Sequence, residues 1–101
     1  MVVLLGFPTS QLFADGTNPA PPWVVVCSDA GAGAYEAFPD VCRTAKGELL
    51  CVFYAGYAHV SDPRPALPNG ARIALCRSSD DGRTWSPAEV VVDTPIDDRD
   101  A

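Results

Sequence analysis

Basic residues are scarce in this chain. Seven of its 101 residues are Lys or Arg against thirteen Asp or Glu, giving a formal net charge of −6. A surface that tracks phosphates needs a basic patch, so nucleic acid is a poor fit as a partner. His59 is the single histidine, and the four cysteines (Cys27, Cys42, Cys51 and Cys76) never fall into Cys-x-x-Cys spacing. That combination argues against a zinc centre, and no metal or cofactor is expected. No apolar run approaches the length of a membrane-spanning helix. No window repeats apolar residues at helical spacing over three turns, so helices are not expected either.

What the chain does contain suits a small, loop-rich β protein. Hydrophobic residues make up 48 %, with ten prolines and eight glycines, enough for a core broken up by turns. The prolines fall in or beside loops and strand starts. Strands are predicted over residues 23–28, 38–43, 49–54, 72–78 and 88–92. The second and third are joined by Thr44-Ala45-Lys46-Gly47, a tight hairpin. Each cysteine falls in a predicted strand, where a free thiol behaves as a small buried hydrophobe. Two registers are open at the hairpin. A two-residue turn at Lys46-Gly47 sets Cys42 opposite Cys51, whereas a bulge at Gly47 moves them apart by one position. The opening stretch MVVLLGFPTSQLFA is apolar, but it has no basic leading region and Pro8 interrupts it. It reads as a hydrophobic tail or as a degenerate secretion signal, the latter implying a secreted or periplasmic protein.

The most specific motif is Ser78-Ser79-Asp80-Asp81-Gly82-Arg83-Thr84-Trp85, which fits Ser-x-Asp-x-Gly-x-Thr-Trp at every fixed position. Short side-chain oxygens on Ser78, Asp80 and Thr84 can bond nearby backbone amides and hold an irregular turn. Gly82 supplies a positive φ, and Trp85 folds back as an apolar plug. The flanking runs Arg72-Ile73-Ala74-Leu75-Cys76 and Ala88-Glu89-Val90-Val91-Val92 suit the two arms of a hairpin. The motif resembles the Asp box of the sialidase superfamily, a structural repeat of β-propellers. Two further phrases extend the resemblance to roughly residues 38–99. Lys46-Gly47-Glu48-Leu49-Leu50-Cys51-Val52-Phe53 is similar to the hairpin and second strand of the first blade, and Asp97-Asp98-Arg99-Asp100 to the start of the next.

The resemblance implies an all-β fold, one antiparallel four-stranded blade of a six-bladed propeller. The run 49–55 is apolar without alternation, so both of its faces are expected to be covered, as stacked blades would do. The expected organisation is a tail or degenerate signal at 1–21, and an edge strand with a rim loop at 22–37. A blade with its Asp box follows at 38–93, then the lead-in to another blade at 94–101. One blade alone buries little, so the chain is read as a fragment whose remaining blades lie elsewhere.

Successive antiparallel strands reverse direction, so alternate connections share one end of the sheet. The hairpin at 44–47 and the Asp box should lie at one end, and the long connections 29–37, 56–71 and 93–100 at the other. Long loops on a rigid scaffold are where function usually sits. The resemblance implies a glycan or glycoside substrate and an acid/base aspartate after the second strand of this blade, which falls on Asp62. Loop aspartates before proline, as in Asp62-Pro63, are often plain turn starters. Substrate-binding candidates are Arg99 and Asp98 at the lead-in, with His59 and Tyr57 on the 56–71 loop. Each has a plainer reading: an ion-paired rim for Arg99, surface hydrogen bonding for His59, packing for Tyr57. One departure matters. A substrate-clamping arginine opens the first blade of sialidases, and aligning the prolines puts Ala37 there. The function implied is hydrolysis of a terminal sugar, sialic acid or a related one. The alternatives are a carbohydrate-binding propeller without catalysis and a structural or protein-interaction propeller. The nucleophilic tyrosine and its glutamate belong to later blades, so the chain alone is expected to be inactive.

Overall fold

The computed structural model describes residues 1–5, 21–95 and 97–98. The described residues form six strands and no helix: β1 Val2–Leu5, β2 Trp23–Cys27, β3 Tyr35–Arg43, β4 Leu49–Gly56, β5 Arg72–Ser78 and β6 Glu89–Val92. Strands β1 and β2 pair antiparallel as a two-stranded sheet, and β3-β4-β5-β6 form a second sheet in chain order. The protein is therefore all-β, with a four-stranded antiparallel meander where the sequence predicts one. Strand β1 was not among the predicted elements. Val2-Val3-Leu4-Leu5 is a short apolar run that reads equally as tail or strand, and only its partner β2 decides the matter.

The hairpin between β3 and β4 takes the bulged register. Gly47 N–H donates to Thr44 O at 2.9 Å, and Thr44 N–H to Glu48 O at 2.8 Å. Gly47 has φ 88°, the left-handed conformation that this turn-plus-bulge requires. Cys42 therefore faces Leu50 and Val41 faces Cys51. The two cysteines stand on opposite faces of the sheet.

Alternate residues of β4 point to one side. Cys51, Phe53 and Ala55 join Ala74 and Cys76 of β5 and Val2 and Val26 of the smaller sheet in one core cluster. Burying a side chain the size of Phe53 contributes roughly 1.5–3 kcal/mol. The other face differs from the expectation of full cover. Ile73, Leu75 and Tyr54 are buried there, but Leu50 and Val52 are only half-buried. Beyond them Val92 is exposed.

The 78–85 turn is held by the side chains that the motif predicts. Ser78 Oγ donates to Asp80 Oδ1 at 2.8 Å and accepts from Gly82 N–H at 2.8 Å. Asp80 Oδ1 accepts Thr84 N–H at 2.9 Å, and Asp80 Oδ2 accepts the Thr84 hydroxyl. Trp85 Nε1 donates to Gly82 O at 3.0 Å, folding the indole back over the turn. Gly82 takes φ 86°, as expected of it.

Candidate functional site

The two ends of the meander are chemically distinct. At the short-turn end, Arg43 Nη1 lies 2.8 Å from Asp81 Oδ1, which ties the 44–47 hairpin to the 78–85 turn. The register then runs from Leu49↔Ser78 at that end to Ala55↔Arg72 at the other, about 20 Å away at ~3.3 Å per residue. The long connections gather at this second end. Asp98 N–H donates to Ala71 O at 3.1 Å, and Ala71 N–H to Ser61 O at 3.0 Å. Ser61 N–H reaches Asp97 Oδ2 at 3.4 Å. The strand reversal that sorts the loops in sequence also sorts them in space.

Tyr54 is the post around which this end is built. Its ring is fully buried, and its hydroxyl is within hydrogen-bond distance of three groups. These are Ala58 O at 2.8 Å, Ser61 Oγ at 2.9 Å and Asp97 Oδ1 at 3.4 Å. Ser61 Oγ in turn accepts the backbone N–H groups of Tyr57 at 2.9 Å and Ala58 at 3.2 Å. A buried polar group left unmatched would be destabilising, so this network fixes the base of the 56–71 loop.

Above the post, aromatic rings stand open to solvent. Tyr35 and Phe38 both meet the Tyr54 ring edge-on, with centroids 6.0 and 5.9 Å away. His59 meets Phe38 at 5.5 Å. Phe38 is 47 % exposed and Tyr35 36 %. Phe38 also has φ 52°, in the left-handed region that bulky residues rarely enter. It sits in a bulge, since β3 pairs Ala37 with Tyr54 and Asp40 with Val52. Strain of this kind costs of order 1–3 kcal/mol and collects at functional sites.

The sequence candidates do not all come together. His59 joins the aromatic cluster through Phe38. Tyr57 lies under Arg64, whose guanidinium carbon is 3.7 Å from the ring centroid, and its hydroxyl donates to the backbone oxygen of Asp62 at 3.0 Å. The Asp62 side chain is on the same loop and exposed. Asp98 is engaged locally: its carboxylate accepts Thr94 N–H at 2.8 Å and the Thr94 hydroxyl at 2.6 Å. Arg99 lies outside the described residues. Ser78, Asp80, Gly82, Thr84 and Trp85 stand at the opposite end, as structural residues of the turn.

Sequence reasoning missed Tyr35, Phe38, Tyr54 and Ser61. A signal was present for one of them, because Pro39 inside a strand run points to a bulge. Glu36, one position before Ala37, is fully enclosed. It accepts Ala30 N–H at 3.1 Å and lies 2.8 Å from the amino group of Met1. Arg72 turns its Nη2 toward Gly31 O at 3.3 Å and Ala30 O at 3.5 Å, so both groups secure the loop that precedes β3. Among the described residues no group of three or more His, Cys, Asp or Glu is placed to hold a metal ion. Among the described residues there is no helix long and apolar enough to cross a membrane. No family model matches the chain, and no curated protein or solved structure matches it either.

Proposed function

We propose that this chain is a blade of a sialidase-like β-propeller that acts on a glycan, with the long-loop end as the sugar-binding rim. The observation that carries the reading is the 78–85 turn. Its Ser-Asp-Gly-Thr-Trp side chains close an outer hairpin of a four-stranded meander, as an Asp box does in a propeller blade. The half-covered face at Leu50 and Val52 and the open β6 edge suit stacking against neighbouring blades. In this reading Asp62 protonates the leaving-group oxygen of a terminal glycoside. Tyr57, whose hydroxyl bonds the Asp62 carbonyl, sets the course of the loop, and His59 contacts the sugar. Asp98 shapes the lead-in turn, and Arg99, the other substrate-binding candidate of that lead-in, lies outside the described residues. A general acid works best when shielded from water, so the exposed Asp62 calls for cover from another blade or from the bound sugar.

A second reading is favoured by one observation. Ala37 occupies the position of the clamping arginine, and the neighbouring Glu36 is committed to Ala30 and Met1. A propeller that binds sugar without cleaving it fits that arrangement. The experiment is a hydrolysis panel of chromogenic glycosides, neutral and sialylated, run on the gene product that carries this chain. Release from any of them supports the hydrolase. A blank panel with measurable glycan binding supports the binding propeller, and a blank in both assays removes the glycan reading.

A further inference from the structure

We propose that Phe38, with Tyr35 beside it, is a stacking shelf for an uncharged pyranose, so that the sugar taken at this end is neutral rather than acidic. The inference rests on the glycan reading above and narrows it to a substrate class. Three observations converge on these rings. Phe38 is nearly half open to water while its backbone is held at φ 52°. Within this chain neither feature adds stability, since an exposed ring gains little burial and the strain works against folding. The shelf is also rigid. Tyr35 and Phe38 stand edge-on to Tyr54, and the Tyr54 hydroxyl is bonded to Ala58 O and Ser61 Oγ. Preorganised aromatic surface of this kind is what the C–H-rich face of a pyranose packs against, at little entropic cost.

Charge selects among sugars. The described loops at this end carry the carboxylates of Asp62, Asp97 and Asp98. Of the cations there, Arg64 is stacked on Tyr57, and Arg72 points to the carbonyls of Ala30 and Gly31. Ala37, beside Phe38, offers no guanidinium fork. Among the described residues, an anionic sugar on Phe38 would meet those carboxylates with no guanidinium fork at the adjoining Ala37 position, whereas a neutral ring needs only the shelf and hydrogen bonds to its hydroxyls.

The test is a titration of the same gene product, followed by the ring resonances of Phe38 and His59. The probes are methyl glucopyranoside, methyl galactopyranoside and N-acetylneuraminic acid, added separately. The expected result is saturable shifts with a neutral glycoside and none with N-acetylneuraminic acid. Phe38→Gly should abolish those shifts while holding the melting temperature within a few degrees, because glycine adopts φ 52° freely. Shifts from N-acetylneuraminic acid as large as those from the neutral sugars overturn the inference and leave the glycan reading standing. So does a blank titration beside an active hydrolysis panel. A large drop in melting temperature for Phe38→Gly also overturns it, by making the ring a structural cover. Blanks in both the titration and the hydrolysis panel remove the inference together with the reading it rests on.

Discussion

Cys51 stands directly opposite Cys76 in the β4–β5 ladder, and neither side chain reaches solvent. Burial pushes the Cys51 thiol up to about 11 and the Cys76 thiol up to about 12. Cys27, half-buried and packed against the same core, is raised too, mainly by burial. Thiolate is the reactive form, so these thiols are protected both by access and by protonation. Cys42 is exposed on the edge strand.

Alkylation of the native protein at pH 8 should therefore label Cys42 first and Cys27 more slowly. Cys51 and Cys76 should react only on unfolding. Peptide mapping by mass spectrometry after timed iodoacetamide treatment checks the order. Early labelling of Cys76 would mean that the core opens without global unfolding.

The Asp80 carboxyl is held down at about 2, first by the Thr84 hydroxyl and then by Thr84 N–H and Ser78 Oγ, against an ordinary value of 3.8. A depressed carboxylate stabilises the fold above its unfolded value, and that contribution is lost as pH falls through the folded one. The melting temperature should thus fall between about pH 4 and 2, and Asp80→Asn should flatten that part of the profile. At neutral pH the variant should melt lower than the parent. Melts from pH 2 to 7 on both proteins read this directly.

Asp62→Asn should leave the melting temperature intact, since the side chain is exposed. In the gene product that carries this chain it should cut glycoside turnover by ~100- to 10,000-fold, the usual effect of losing a general acid. Asp80→Asn should keep the turnover per folded molecule, because that residue stands at the far end of the sheet. Wild-type turnover in Asp62→Asn would reassign Asp62 as a turn residue.

Tyr54→Phe removes the hydroxyl that meets Ala58 O, Ser61 Oγ and Asp97 Oδ1. Losing that hydroxyl from the network should cost about 0.5–1.5 kcal/mol, or roughly 4–8 °C of melting temperature per kcal/mol in a domain this small. Amide exchange should rise first at Tyr57, Ser61 and Ala71, whose N–H groups hang on the same network. Uniform loss of protection across β4 and β5 would show that the tyrosine supports the whole sheet instead.

Strand β6 presents Val90, Val91 and Val92, all more than 40 % exposed, on an edge whose one charged side chain is Glu89. An unguarded apolar edge of this kind recruits other strands. Sedimentation velocity on the 101-residue chain should show association that grows with concentration, and Val90→Lys should reduce it. A monodisperse parent at all concentrations would show that the edge is already guarded.

The sequence by itself determined everything held within a few residues. The 78–85 turn is written in its own side chains, with Ser78, Asp80 and Thr84 bonding partners no more than four positions away. Strands β2 to β6 follow from apolar runs bounded by turn residues, and strand reversal alone sorts the loops to two ends. What the tertiary structure decided depends on partners far along the chain. Val2–Leu5 becomes a strand because β2 is there to pair with it. Cys51 faces Val41 rather than Cys42 because Gly47 takes the bulge and moves the β3–β4 register by one residue, and the separate β4–β5 pairing sets it opposite Cys76. Phe38 is turned outward by a second bulge, and Tyr54 meets Asp97 forty-three residues away. Local chemistry fixes turns and strand identity, since those bonds close at little entropic cost. Register and the juxtaposition of loops are chosen only when the whole sheet assembles, because each is settled by burial summed over many distant residues.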